Sequence, residues 1–479
     1  MIDQLKILDE ALIRKFHDLG AHQIDYWDIR CGVTTGTTVD FTDQKSKEIS
    51  SYESCECGIR TFTNGGWGFV VLKDLKEKTL LNRFEKAVKL AKLSASLTKT
   101  NFTIKERDPL KKDYHILGKK PLDEVGIDEK VDLVKHHEKT AVEYSPKVRN
   151  TRSMYFDTLT HMLFLNSFGS HIYQDLSVAR MFSAVYAFEE GVIQRSINSV
   201  GGLGGFEIME TSKASKISTK SAKEAVELLK AKSPKGGKFT VIMDPKLTGT
   251  FVHEAFGHAV EADHILNKES ILEGKIGEQV AQENISIIDN PGMNLGAKYG
   301  LEYEFFGSYY VDDEGVPSQH TDIIKNGILK NHLHSLETAS RMGVEPNGHG
   351  RAGGLSSKPQ VRMGITLLEA GDWSLDEMIA DTKEGVYCED FQYGYTDPTT
   401  GNFQFKTSLS YKIEKGEKKE LMRDVALSGM TLEVLNRVSA IGKEVSFSDG
   451  MCGKGGQRVR VCDGGPYIRV KDTTIGGLG

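Results

Sequence analysis

Apolar residues recur at helical spacing from Gln4 to Leu19, after which the period drops to two. YWDIRCG, GTTVDFT, GIRTFT and WGFVVL read as short strands separated by Gly or Asn-Gly, so the chain opens on one helix and four strands. Leu80, Phe84, Ala87, Val88 and Ala91 return to helical spacing with lysines between them, which predicts a helix over one face of that sheet. This first unit closes near Asn101.

The polar stretch KERDPLKKDYHILGKKPLDE reads as a connector. Beyond it, the helix DEKVDLVKHHEKTAVEY leads into MYFDTLTHMLFLNSFG and SHIYQDLSVARMFSAVYAFEE, a second run of antiparallel strands. GGLGG (201–205) has the wrong spacing for a nucleotide loop and no GK[ST] follows it, so it reads as a mobile or tightly turning loop. The helix SAKEAVELLKA and the linker KSPKGGK mark the main boundary. From Gly237 onward, strand-like pieces (YEFFGSYYVDDEG, QVRMGITLLE, GNFQFKTSLSYKIEKGE, QRVRVCDGG, YIRVKDTT) outnumber an expected two or three helices. The expected fold is α+β: an N-terminal α/β region of helix-plus-antiparallel-sheet units over 1–236, with sub-units near 1–101 and 122–232, then a β-rich C-terminal domain over 237–479.

At 479 residues, two or three domains are the starting expectation. A net charge of −6, with acids and bases interspersed, leaves no electrostatic footprint for nucleic acid. The start, MIDQLKILDEALIRKF, lacks the apolar core and cleavage site of a signal peptide. No run approaches the ~18 apolar residues of a membrane span. Six scattered cysteines (Cys31, Cys55, Cys57, Cys388, Cys452, Cys462) fit reduced thiols better than a disulfide framework, which points to the cytoplasm.

Candidate chemistry concentrates in FVHEAFGHAVEADH (251–264). Asp244 and Pro245 stand where an N-cap and a first-turn proline belong, which places His253, Glu254 and His258 on a helix. Each residue of an α-helix advances about 100°, so positions five apart diverge by about 140° and cannot share an ion. One inserted residue in the form of a π-bulge brings them back to one face, and Gly257 would ease that distortion. The plainer reading is one buried, hydrogen-bonded histidine and one exposed. If the two imidazoles do hold a cation, Glu254 is placed to take a proton from water, and a third ligand is needed. Glu261, Asp263 and Glu278 are candidates that no spacing selects, while His264 points elsewhere on any helix. Cys452 lies in a glycine-dense stretch, SFSDGMCGKGGQRVRV, that reads as a loop where a thiolate could face a cation. The other cysteines read as small buried residues.

VHEAFGHAVEADH, SRMGVEPNGHGRAGG, FQYGYTDPTTGNFQFKTSLSYKIEKGE and SDGMCGKGGQRVRVCDGGPYIRVKDTTIGG together resemble the TldD/PmbA family of metalloproteases, on the TldD side that carries HExxxH. The resemblance implies a dimer with an enclosed cleft that cleaves unfolded peptides. It implies His253, His258 and Cys452 as ligands of one divalent metal, zinc first with iron open, and Glu254 as the catalytic base. The partner would be a second copy or a PmbA-like subunit, with no nucleic acid or membrane involved. Between Arg351 and Pro359 the chain is rich in Gly and Ser, a departure from the family pattern that leaves Arg351 outside the site. Two other readings stand beside this one. One is a peptide-binding or regulatory subunit with a structural metal; the other is a metal hydrolase acting on small amides.

Overall fold

A computed structural model of the chain describes residues 2–292 and 301–477. The fold is α+β, as expected. The first helix begins later than its pattern suggests, at Glu10, because Asp9 Oδ1 accepts from the Leu12 amide at 2.8 Å and caps it there. The four opening strands merge into three, Tyr26–Thr42, Lys45–Thr63 and Gly66–Leu72. Glycines that read as punctuation are positions of close approach instead: a Cβ on Gly36 would come within 2.7 Å of the Asp157 carbonyl oxygen. The turn at Asn64-Gly65 does form, both residues having positive φ.

The N-terminal sheet continues through Val148–Asn166, His171–Glu189 and Val192–Leu203, all antiparallel. The expected connector holds one more strand, Lys111–Ile116, running parallel to His171–Glu189. GGLGG is not a free loop: Gly202 and Leu203 pair with Phe305 and Glu304, so its first half is strand. The helix Glu77–Leu97 buries Leu80, Phe84, Ala87, Val88 and Ala91 against the sheet, as their spacing predicts. Cys31 and Cys57 overturn the expectation of free thiols. They stand opposite each other on adjacent strands and form a disulfide in the core.

In the second half, five strands close into a ring: Gly237–Met243, Glu384–Asp397, Asn402–Glu414, Val425–Met430 and Gln457–Gly477, the last pairing back to the first. Where two or three helices were expected, the described residues carry five short ones, Pro245–Phe251, Ala262–Asn267, Leu336–Met342, Leu375–Ala380 and Thr431–Asn436. Leu247, Phe251, Val252, Ala255 and Phe256 pack into one core with Phe403, Phe405, Leu427 and Val470 of the ring. Buried or largely buried ion pairs join the halves: Arg60 to Glu314 at 2.7 Å, Arg30 to Asp313 at 2.8 Å and Arg180 to Asp449 at 2.8 Å.

Candidate metal centre

Asp244 caps the helix Pro245–Phe251, its Oδ1 accepting from the Leu247 amide at 2.8 Å. The coil then widens into a π-turn over Val252–Phe256 and tightens into a 3-10 turn over Gly257–Val260. The Gly257 amide donates to the carbonyls of both Val252 and His253. Such a break leaves carbonyls without helical partners. Three of them find one here: Thr431 Oγ1 donates to the Ala255 oxygen at 2.9 Å, Ser270 Oγ to Ala259 at 2.6 Å, and the Leu333 amide to Val260 at 2.9 Å.

Gly257 is required for a different reason from the one its flexibility suggests. Its φ is an ordinary helical −57°. A Cβ there would lie 2.1 Å from Met363 Sδ and 3.3 Å from the Val252 oxygen. Met363 is 1% exposed and part of the main core, so it has little room to yield. Gly257→Ala should therefore cost about 1–3 kcal/mol in denaturant unfolding. A variant as stable as the parent would show that the turn is less tightly packed than these contacts imply.

The π-turn lets positions five apart converge. The rings of His253 and His258 lie 5.3 Å apart between centroids, and donor atoms of His253, His258 and Cys452 all fall within 4.8 Å of one another. His258 Nε2 is 3.4 Å from Cys452 Sγ. Its Nδ1 meets Glu261 Oε2 at 2.9 Å. His253 Nδ1 lies 2.8 Å from Asp463 Oδ1, though off the angle of a good hydrogen bond. Each imidazole thus has its Nδ1 against a carboxylate, and Nε2 of His258 faces Cys452. That arrangement fixes ring orientation in metal sites.

Cys452 is not in a loop. It sits on the strand Val438–Lys454, paired with Val459 across the hairpin, and the turn comes only at Gly455-Gly456. Arg362, fully buried, donates from Nη2 to the Cys452 carbonyl at 2.6 Å. Burial opposes a thiolate here, yet His253 and His258 beside it bring the Cys452 pKa down to about 5. At Cys388, where burial dominates, the thiol is pushed up to about 12. Burial likewise opposes charge on His258, but Glu261 and then Cys452 raise it to about 10. His253 is raised well above the usual imidazole value, against burial, by Asp463 and Cys452. Glu261 is held well below the carboxylate range, against burial, by His258 and Lys454.

Glu254 borders this cluster, its side chain one-third exposed and Oε2 3.9 Å from His258 Nε2. Of the open candidates for a third ligand, none joins the group. Glu261 turns to the far nitrogen of His258, Asp263 meets Lys454, and Glu278 pairs with Lys275 on the surface. Arg351 is buried, donating to the Met363 carbonyl and lying over the Tyr309 ring. Asp463, Lys454 and Arg362 are residues that sequence reasoning missed. Only Lys454 carried a signal, since a strand through Cys452 puts the residue two positions on at the same face. Two imidazoles and a thiolate form a donor set that suits a borderline divalent ion such as zinc.

Residues 236–477 match the PmbA/TldA metallopeptidase C-terminal domain, 120–232 the central domain and 27–91 domain 1. A metalloprotease of Methanocaldococcus jannaschii is 38% identical over 97% of this chain and 99% of its own length. A zinc metalloprotease TldD homolog of Saccharolobus solfataricus is 28% identical over 97% of this chain and 99% of its own. The crystal structure of TldE from Thermococcus kodakarensis shares the fold, with a TM-score of 0.75 at 20% identity, covering 98% of this chain and 99% of that one. The matched domains and the archaeal relatives bear out the resemblance read from the sequence: the chain belongs to the PmbA/TldA metallopeptidase family.

Proposed function

We propose that the chain is a metal-dependent peptidase acting on unfolded or extended peptides, with His253, His258 and Cys452 holding one divalent ion, zinc by preference, and Glu254 as general base. The observation that carries this reading is the meeting of three donor atoms within 4.8 Å across a π-turn. Among the described residues this group has three protein donors, whereas structural zinc sites are usually closed by four. A divalent ion held there supplies Lewis-acid polarisation of the peptide carbonyl and acidifies water.

The chain's own residues do the rest. Asp463 and Glu261 hold the two imidazoles in place. Glu254 accepts the proton of the attacking water and returns it to the departing amine. An extended peptide binds by main-chain hydrogen bonds to an open sheet edge, with little dependence on its side chains. The chain works as a dimer, with a second copy or a TldE-like subunit closing the cleft.

Metal content and hydrolysis of an unfolded polypeptide, measured on the same purified chain, test this. The expected result is one ion per chain and a chelator-sensitive activity that zinc restores. Bound metal without hydrolysis, both by the chain alone and with a TldE-like subunit added, would favour the regulatory-subunit reading. Chelator-sensitive turnover confined to small amides would favour a different hydrolase.

A further inference from the structure

A second group of donors lies behind His258, on its Nδ1 side. Glu261, Asp263 and His264 place ligand-type atoms within 4.8 Å of one another. Acidic clusters are common on protein surfaces, but this one has unusual contents. The ammonium of Lys454 sits 2.9 Å from Glu261 Oε2, 2.8 Å from Asp263 Oδ1 and 3.1 Å from the Val361 oxygen, which uses all three of its donors. Glu261 is fully buried; its Oε2 also meets His258 Nδ1, and its Oε1 has no hydrogen-bond partner among the described residues. A buried carboxylate needs a cation beside it, and Lys454 supplies one. His264 completes the group, its Nε2 3.7 Å from Glu261 Oε2 and its Nδ1 3.5 Å from Glu269.

Lys454 reaches this place from the strand that delivers Cys452, two residues away and therefore on the same face. The strand is fixed at both points: Gln360 Nε2 donates to the Lys454 carbonyl at 2.9 Å and Arg362 to that of Cys452 at 2.6 Å. One rigid element thus sets the thiol on one side of the His258 ring and an ammonium behind the other.

We propose that Lys454 is a built-in counter-cation that fills a latent second cation site, formed by Glu261, Asp263, His264 and the Val361 carbonyl, and so limits each chain to one metal ion. Oxygen-rich donors with one imidazole suit a divalent ion such as Zn²⁺ or Mn²⁺. In the intact protein the ammonium excludes such an ion by charge and by occupancy while holding Glu261 against His258. Lys454 is a positioning residue in this scheme. The inference rests on reading His253, His258 and Cys452 as the metal centre.

The test compares the parent chain with Lys454→Met, each saturated with Zn²⁺, freed of excess ion and assayed for metal by mass spectrometry. The expected result is one more ion per chain in Lys454→Met than in the parent, with Lys454→Arg unchanged. Adding Asp263→Asn to Lys454→Met should remove the extra ion. An equal count in parent and Lys454→Met overturns the proposal, as does a parent that already holds two ions. Should Lys454→Met not fold, Lys454→Gln carries the same expectation, and the parent count alone can still refute. Cobalt loading keeps the two readings apart. A thiolate-to-cobalt absorption band reports the Cys452 centre; its absence from the parent would sink the proposed function, while the gain of an ion on losing Lys454 would still be read separately.

Discussion

Glu254→Gln should lower turnover of an unfolded polypeptide by about 10²–10⁴-fold while leaving the metal content at the parent level. Gln keeps the length and shape of the side chain but offers no carboxylate to take a proton from water. The three converging donors do not include Glu254, so the ion should stay. The side chain is about one-third exposed, and its substitution has little packing to lose. Two measurements on one preparation check this: kcat with saturating peptide, and bound metal by mass spectrometry. A variant that cleaves at the parent rate would remove Glu254 from the mechanism. A variant that loses its metal would make it a residue that shapes the centre.

Local pattern made some of this molecule legible and left other parts hidden. The helix Glu77–Leu97 follows directly from the spacing of Leu80, Phe84, Ala87, Val88 and Ala91, because a single face decides its packing. The five-residue spacing of His253 and His258 left two readings open, a π-turn or two diverging histidines, and the coil does widen there. Glycine was the least reliable guide. Gly32 and Gly36 sit inside one long strand, and Gly450 and Gly453 flank Cys452 within another, since a glycine can mark close approach as well as a turn. The groups that orient the centre were out of reach for a different reason. Asp463 is brought to His253 where the helix at Gly249 rests directly on the strand at Asp463 and Gly464, a contact across more than half of this domain's length that no local pattern encodes. The disulfide depends likewise on the register that sets Cys31 opposite Cys57, which composition cannot supply.

Cys452→Ser should weaken metal binding by more than the roughly 100-fold typical of losing an outer orienting group, since it removes a ligand outright and replaces a thiolate with a poor donor. The pH dependence makes this prediction sharper. In the metal-free site the thiol is already ionised at neutral pH, its pKa lowered to about 5, whereas His258 is raised to about 10 and His253 is also raised. An ion can bind only imidazoles that have given up their protons. Raising the pH from neutral towards the His258 value therefore favours binding, and apparent affinity should climb about tenfold per pH unit for each proton displaced. Cys452 itself raises both imidazoles. With Ser in its place their pKa values fall, so the variant, weakened by the lost thiolate, should show a shallower rise with pH. Competition against a chromophoric chelator from about pH 6 to about pH 9 measures both quantities. A parent chain whose affinity stays flat over that interval would mean that the imidazoles are already neutral before the ion arrives. A Cys452→Ser chain that keeps the parent affinity would mean that the sulfur is not a ligand.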